Sequence, residues 1–425
     1  MNLKNYLIVC TVLTSFWFTS TVFADSQETF VRKVKGGGSI SQSIQTTDGN
    51  YAYLNGSRIT KLRSVSGKNI SQTTLSFDIS SYANVRLRGI AQTLNGLVLV
   101  GDTDDWYYGN NSAIVIKVNS KGRVEWSKNI VVTGDIGFDS VTPTTDGGFI
   151  VTGRYYPVDE HPVLVKYNSR GEVVWSKHFD SLSWSFQSTP TLDGGVILAA
   201  DLIQIDGRFI GVKVLKINGS GDLAWAATLE MKDFSLHSLT SLSDQRYVLA
   251  GKGDSSKVLL VNLNSDGTIH SKAAYSLNVP DFSISSLVGT PDKGIAIGGV
   301  LKKKSGSAYD GFLLKINERQ KLTLQKRLGF PDSKETISSV IAKEDGSFLL
   351  FGSTDTATLF VGISSDGSVT GCTFSHNLIA SKVLFGSLKH QDLSITPHDL
   401  FLPYGGTLNV KIKHLTLPIS NACAN

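Results

Sequence analysis

Helical periodicity is missing from this chain. No stretch of its 425 residues repeats apolar side chains at the three-to-four spacing of an amphipathic helix. Proline is scarce at 10 residues, methionine scarcer at 2, and only 18% of residues are charged against 41% hydrophobic. That balance excludes a disordered chain and predicts a buried core. The net charge of +5 is dispersed, and its one basic cluster, Lys302-Lys303-Lys304, reads as a solvated loop. Nucleic-acid binding therefore has no footprint here. The chain also lacks HExxH, CxxC, GxSxG, a Walker A loop and GxGxxG in a βα setting, so the common metal, nucleophile and nucleotide chemistries have no signature. Asp102-Thr103-Asp104-Asp105 offers oxygens to Ca²⁺ but lacks the remaining ligands of an EF-hand loop. No cofactor is expected, with calcium the only candidate.

Cysteine is nearly absent, with 3 residues. Cys10 falls within the apolar run 6–23, which follows Lys4 and ends in Val22-Phe23-Ala24. This is the pattern of a secretory signal peptide over residues 1–24, cut after Ala24. A secreted or periplasmic protein with no membrane span after cleavage is expected. In an oxidising compartment the remaining pair, Cys372 and Cys423, is expected to form a disulfide. It would close a loop of roughly 50 residues, worth about 4 kcal/mol in the chain-entropy picture.

Glycine is plentiful at 41 residues and marks a repeat. TTDGGFIVTG at 144–153 has counterparts anchored on Asp48, Asn95, Asp193, Asp244, Asp292 and Asp345, each about 50 residues after the last. Within one copy, GFDSVTPT (137–144), FIVTG (149–153), VLVKYN (163–168) and EVVWSKHF (172–179) read as four short strands. A second tight turn recurs as NSKG (119–122), NSRG (168–171), NGSG (218–221), NSDG (264–267) and SSDG (364–367). The fourth strand carries Trp126, Trp175 and Trp225 in successive copies, read as packing between repeats. Four antiparallel strands, seven times, make an all-β, seven-bladed β-propeller, because a lone four-stranded sheet cannot cover its own faces. ETFVRKVK (28–35) resembles a fourth strand and is expected to close the ring on blade seven. The propeller is expected to span 25–376. The tail 377–425 falls outside the repeat, with LNVKIKHLTL (408–417) patterned as an edge strand, and is expected to be a short β extension pinned to the last blade by the disulfide.

The phrases TTDGGFIVTG and VLVKYNSRGEVVWSKHF resemble the β-propeller repeats of secreted bacterial proteins of the delta-60 or SBBP type, over about residues 36–372. That resemblance implies a propeller with a binding, adhesion or assembly role. A second resemblance is to quinoprotein-like propellers, whose tryptophan-docking motif also places Trp four residues after Gly, as in Gly122–Trp126, Gly171–Trp175 and Gly221–Trp225. Where that motif carries an acid, this chain has Val118, Tyr167 and Ile217. The second resemblance thus implies a non-catalytic relative, such as a periplasmic propeller that helps assemble outer-membrane proteins.

Loop length separates the two faces. The DGG-type and NSxG turns are short and uniform. The connections 102–111, 154–162, 201–211 and 300–310 are long and differ from copy to copy. Function tends to sit on such individual loops. Asp104, Asp105, Trp106, Tyr107, Tyr155, Tyr156, Asp159, His161 and Trp184 are the expected ligand-binding residues. Aromatic rings stack on sugars or anchor protein partners, and nearby carboxylates accept hydrogen bonds. The expected function is a non-enzymatic module that binds a glycan or protein. The alternatives are an extracellular glycan hydrolase or lyase using Asp104 and Asp159, and a periplasmic assembly factor.

Overall fold

A computed structural model describes residues 29–35, 40–63, 71–79, 83–105, 111–156, 161–179, 186–203, 209–253, 257–303, 309–331, 333–369, 372–384, 387–392, 397–399, 410–415 and 419–421. The described residues form strands and turns without helices. Seven antiparallel sheets follow the chain. Blade one comprises Gln42–Gln45, Tyr51–Asn55, Arg58–Arg63 and Ser71–Ile79, and blade two Ala83–Thr93, Gly96–Asp105, Ser112–Asn119 and Val124–Ile130. Blade three is Asp135–Pro143, Phe149–Tyr156, His161–Tyr167 and Val173–Phe179, and blade four Phe186–Pro190, Val196–Ile203, Phe209–Ile217 and Leu223–Glu230. Blade five holds Ser235–Ser241, Tyr247–Gly253, Lys257–Leu263 and Ile269–Ser276, and blade six Phe282–Gly289, Ile295–Lys302, Tyr309–Ile316 and Leu322–Leu328. Blade seven takes Glu335–Ala342, Phe348–Thr354 and Ala357–Ile363 from the last repeat, and its fourth strand is Phe30–Lys35 from the N-terminus. Arg32 lies opposite Phe360 there, so the expected ring closure is present.

Why these residues make blades is visible in the burial. Second and third strands read as nearly continuous apolar runs, as in FIVTG and PVLVKY, because both their faces are covered by neighbouring blades. The result is seven apolar clusters, one at each blade–blade interface. Phe138, Phe149 and Tyr167 fill the interface of blades two and three, and Phe312 that of five and six. Each such fully buried ring contributes about 1.5–3 kcal/mol of burial. Innermost strands also join directly: Ser43 donates to Ser339 Oγ at 2.7 Å across blades one and seven, and the Val340 N–H donates to Ser286 Oγ at 3.0 Å across seven and six.

The recurrent turn has its own chemistry. In TTDGG the Gly147 N–H donates to Thr144 O at 3.0 Å, and Gly147 has φ +79°, a conformation that an L side chain rarely adopts. Asp146 Oδ1 accepts from the Gly148 N–H at 3.0 Å and from the Thr144 hydroxyl at 2.5 Å. Its other oxygen meets Lys166 Nζ on the third strand at 2.8 Å. Asp48–Lys61, Asp193–Lys216 and Asp292–Lys315 repeat the pair at 2.6, 3.2 and 2.9 Å. The Lys166 ammonium, then the Thr144 hydroxyl, hold the Asp146 carboxyl down at about 2. Blade five has Asn262 in place of the lysine, and Arg246 takes over Asp244 at 2.6 Å.

The seven-bladed all-β fold is as expected, and among the described residues the tail adds a fifth strand to six of the blades. Two expectations need correcting. The tail is not an appendage of blade seven. It travels backwards round the ring: Ser375–Asn377 pairs with blade six, Ser381–Val383 with five, Lys389–Asp392 with four, Pro397–Asp399 with three, Val410–Leu415 with one and Ile419–Asn421 with seven. The edge strand expected within 408–417 is present, on blade one. This belt supplies hydrogen-bond partners to outer strands whose edges would otherwise be open templates for aggregation. Lys303, expected in a solvated loop, is instead nearly buried. Its Nζ lies 3.0 Å from Asp310 and donates to the carbonyls of Phe330, Pro331 and Ser333. Asp310 needs this cation because it is only 1% exposed beside the fully buried Glu335, whose carboxyl burial pushes up. Cys372 packs half-buried against the blade-seven cluster. Cys423 and the signal segment 1–24 lie outside the described residues.

Candidate functional site

On the long-loop face a cleft of about 300 Å³ opens between blades two and three. Its polar wall is built from residues far apart in sequence: Arg86 and Arg88 on the innermost strand of blade two, Asp102 on its second strand, and Arg154 and Tyr156 on the second strand of blade three. Asn111 and Asp135 complete it, with the Asn111 N–H donating to Asp135 Oδ1 at 2.7 Å.

Strand geometry brings the arginines together. The register sets Arg86 opposite Asp102. A β-bulge after Leu87 makes Arg88 the extra residue, and a bulge after Phe138 does the same for Asp139 in blade three. Bulges re-aim side chains. Here they bring Arg88 Nε within 3.6 Å of Asp139. Asp102, 4% exposed, accepts from Arg86 Nε at 2.7 Å and from Arg88 Nε at 2.5 Å. Arg154 grips Asp139 through two bonds, Nε at 2.9 Å and Nη2 at 3.0 Å. Three guanidinium planes and two carboxylates thus hold one another rigid at the cleft. Such paired planar groups are pre-organised to make bidentate hydrogen bonds to a polar ligand. Arg86, half exposed, and Tyr156, partly exposed, give that ligand an accessible edge and a ring face.

Of the residues expected from sequence, Tyr156 lines this cleft. Tyr155, its neighbour, points to the other side of the strand and packs against the apolar cluster between blades two and three, with its ring edge-on to His178 at 6.3 Å. His161 pairs with Tyr155 across the hairpin and meets His178 at 5.5 Å, so these two belong to blade packing and not to the cleft. The backbones of Asp104 and Asp105 pair with Asn84 and Ala83 at the end of the second strand of blade two; their side chains lie outside the description. Trp106, Tyr107, Asp159 and Trp184 lie outside the described residues.

Sequence reasoning missed Arg86, Arg88, Asp102 as an arginine anchor, Asp139 and Arg154. A signal did exist. Aligning LRG, FDS, LHS, ISS and ISS puts the bulge residues Arg88, Asp139, His237, Ser285 and Ser338 in one column. Only blades two and three carry opposite charges there. Farther round, burial raises Asp201 to about 6, and burial, then Lys252, lowers His237. Asp201 accepts the Leu236 N–H at 2.7 Å and ties blade four to blade five.

Among described residues no group of three or more His, Cys, Asp or Glu could hold a metal ion. No protein-family model matches the chain, and no curated protein does. Among solved structures it is similar to a protein of unknown function from Bacteroides caccae, at 14% identity and TM-score 0.41 over 70% of this chain and 93% of that one. It is also similar to a glucose dehydrogenase, at 11% identity and TM-score 0.39 over 67% of this chain and 99% of that one. MPT-4, a mannose phosphorylase from Leishmania mexicana, is similar at 11% identity and TM-score 0.28 over 53% and 82%. At these scores the likenesses say nothing of function.

Proposed function

We propose that this chain is an exported, non-enzymatic binding module whose long-loop face captures a polar ligand, with a glycan as the ligand class. The observation that carries this reading is the meeting of Arg86, Arg88 and Arg154 with Asp102 and Asp139 at a cleft of about 300 Å³ beside Tyr156. Guanidinium donors and carboxylate acceptors suit vicinal hydroxyls, and a tyrosine ring suits the apolar face of a pyranose. Each of these two carboxylates is engaged by a guanidinium, which favours binding over acid–base chemistry. The repeat's resemblance to secreted bacterial propellers supports export.

A glycan array probed with the purified protein tests the proposal, followed by calorimetry on the best ligand and a search for released sugar by chromatography. Arg86→Ala leaves Asp102 paired with Arg88 and should fold normally. It should weaken binding by at least about tenfold, in line with about 1.5 kcal/mol for a hydrogen bond from a charged group. Turnover of the bound glycan would overturn the non-enzymatic reading. Full binding by Arg86→Ala and by Tyr156→Ala would overturn the site.

A further inference from the structure

The seven blade interfaces share one position, where the fourth strand of a blade meets the second tight turn of the next. Trp126, Trp175 and Trp225 occupy it between blades two and five. Each ring lies flat against a turn glycine of the following blade: a Cβ added at Gly171 would fall 2.5 Å from Trp126, one at Gly221 2.9 Å from Trp175, and one at Gly267 2.9 Å from Trp225. Trp175 donates its indole N–H to Gly219 O at 3.1 Å, and Trp225 donates to Ser265 O at 3.0 Å. In both cases the acceptor is the second residue of the turn. Other interfaces use other fillers. Leu324 lies under Gly367 between blades six and seven. Phe30, opposite Gly362, joins Tyr51 and Tyr53 between seven and one. Between five and six, Tyr275 donates its hydroxyl to Gln320 O at 2.9 Å.

Blades one and two differ. The register sets Thr73 opposite Lys61, where Trp126, Trp175 and Trp225 stand opposite Lys117, Lys166 and Lys216. At this interface a cavity of about 530 Å³ opens on the short-turn face. Its walls include the apolar side chains Ile59, Leu94, Leu97 and Val118, and the turn residues Ser120 and Gly122. Ser120 is the second residue of NSKG, the homologue of Gly219 and Ser265. Leu94, on the rim, is 79% exposed. The volume falls within the roughly 300–1,000 Å³ of ordinary ligand pockets, room for an indole and the backbone that presents it.

We propose that this slot receives a tryptophan side chain from a protein partner, docked between blades one and two as the chain docks its own tryptophans between the blades that follow. The ring would lie among Ile59, Leu97 and Val118, with its N–H directed to the Ser120 carbonyl. Tryptophan is suited to such an anchor, combining a large apolar face with one hydrogen-bond donor. The slot faces away from the arginine cleft, so the two can be occupied together, and neither reading depends on the other.

The full-length protein, methyl-labelled at Ile, Leu and Val, is titrated with Gly-Trp-Gly and with Gly-Leu-Gly and followed by NMR. Gly-Trp-Gly should shift the methyls of Ile59, Leu94, Leu97 and Val118 and bind at least about tenfold more tightly than Gly-Leu-Gly, a modest margin for an aromatic anchor. Leu94→Lys, on an exposed side chain at the rim, should weaken binding by at least about tenfold and should leave the fold intact. Equal affinity for the two peptides, shifts confined to other methyls, or unchanged binding by Leu94→Lys would overturn the proposal. A concentration-dependent dimer of the wild type that Leu94→Lys dissolves would put a second copy's tryptophan there and overturn the assignment to a separate partner.

Discussion

Replacing Gly171 by alanine asks whether tryptophan docking organises the blade interfaces. Two costs enter. Gly171 has φ +81°, which an alanine tolerates at about 1–2 kcal/mol. The new Cβ would also sit 2.5 Å from the Trp126 ring, so ring or turn must move, an overpacking cost of about 1–3 kcal/mol. The total is about 2–5 kcal/mol. Gly49 is the control: its φ is +75°, and an added Cβ meets nothing within 4 Å. Gly49→Ala should therefore cost only the first term. Urea unfolding followed by far-UV circular dichroism measures both. The double variant Trp126→Ala/Gly171→Ala completes the argument, because without the ring the Cβ finds room. Its destabilisation should fall short of the sum of the single variants by the overpacking term. Equal costs at Gly49 and Gly171, together with an additive double variant, would refute the docking account.

Other outcomes follow from the belt, the buried acid and the cysteines. Truncation after Phe374 strips the fifth strand from blades six, five, four, three, one and seven; light scattering on warming should report aggregation tens of degrees Celsius below any seen for the full chain, and identical behaviour would show that the belt does not protect the edges. Burial raises the Asp201 carboxyl from 3.8 to about 6, so the folded state holds that proton more tightly than the unfolded chain does. The associated stability is complete below about pH 3.8 and is lost as pH rises to about 6, by at most about 3 kcal/mol. Asp201→Asn, which keeps an acceptor for the Leu236 N–H, should remove that fall and be the more stable form at pH 7, as urea titrations at several pH values will show. Non-reducing peptide mapping should recover Cys372 joined to Cys423, since Ile419–Asn421 pairs with Phe30–Lys35 in the blade whose cluster holds Cys372; separate free thiols would contradict the pairing.

Most of the fold could be read from the sequence because propeller repeats announce themselves locally. Asp-Gly turns and apolar four- to six-residue runs fall at a fixed period, and each is a short-range property. The belt could not be read in the same way. Ser375–Asn377, Ser381–Val383 and Pro397–Asp399 are three residues long, too short for alternation to register, and their partners lie from about 50 to over 200 residues away. The Asp–Lys pairs were hidden because Asp146 lies in the turn before the second strand and Lys166 on the third, and only the hairpin register joins them. The site was half legible. Loop length pointed to the face on which the arginine cleft opens, and Tyr156 lines that cleft. Selecting by exposed aromatics then drew in Tyr155 and His161, which alternation turns into the blade. Arg86 and Arg88 lie on the innermost strand of blade two and Arg154 on the second strand of blade three, and their convergence depends on how neighbouring blades are placed, which no single repeat encodes.

The account's central claim is that the arginine cleft of the long-loop face binds the ligand. Calorimetric titration of the best array glycan into wild type, Arg86→Ala and Leu94→Lys tests it most directly. The account predicts a saturable isotherm for wild type, the same isotherm for Leu94→Lys on the opposite face, and at least about a tenfold loss for Arg86→Ala. An Arg86→Ala isotherm identical to wild type would contradict it.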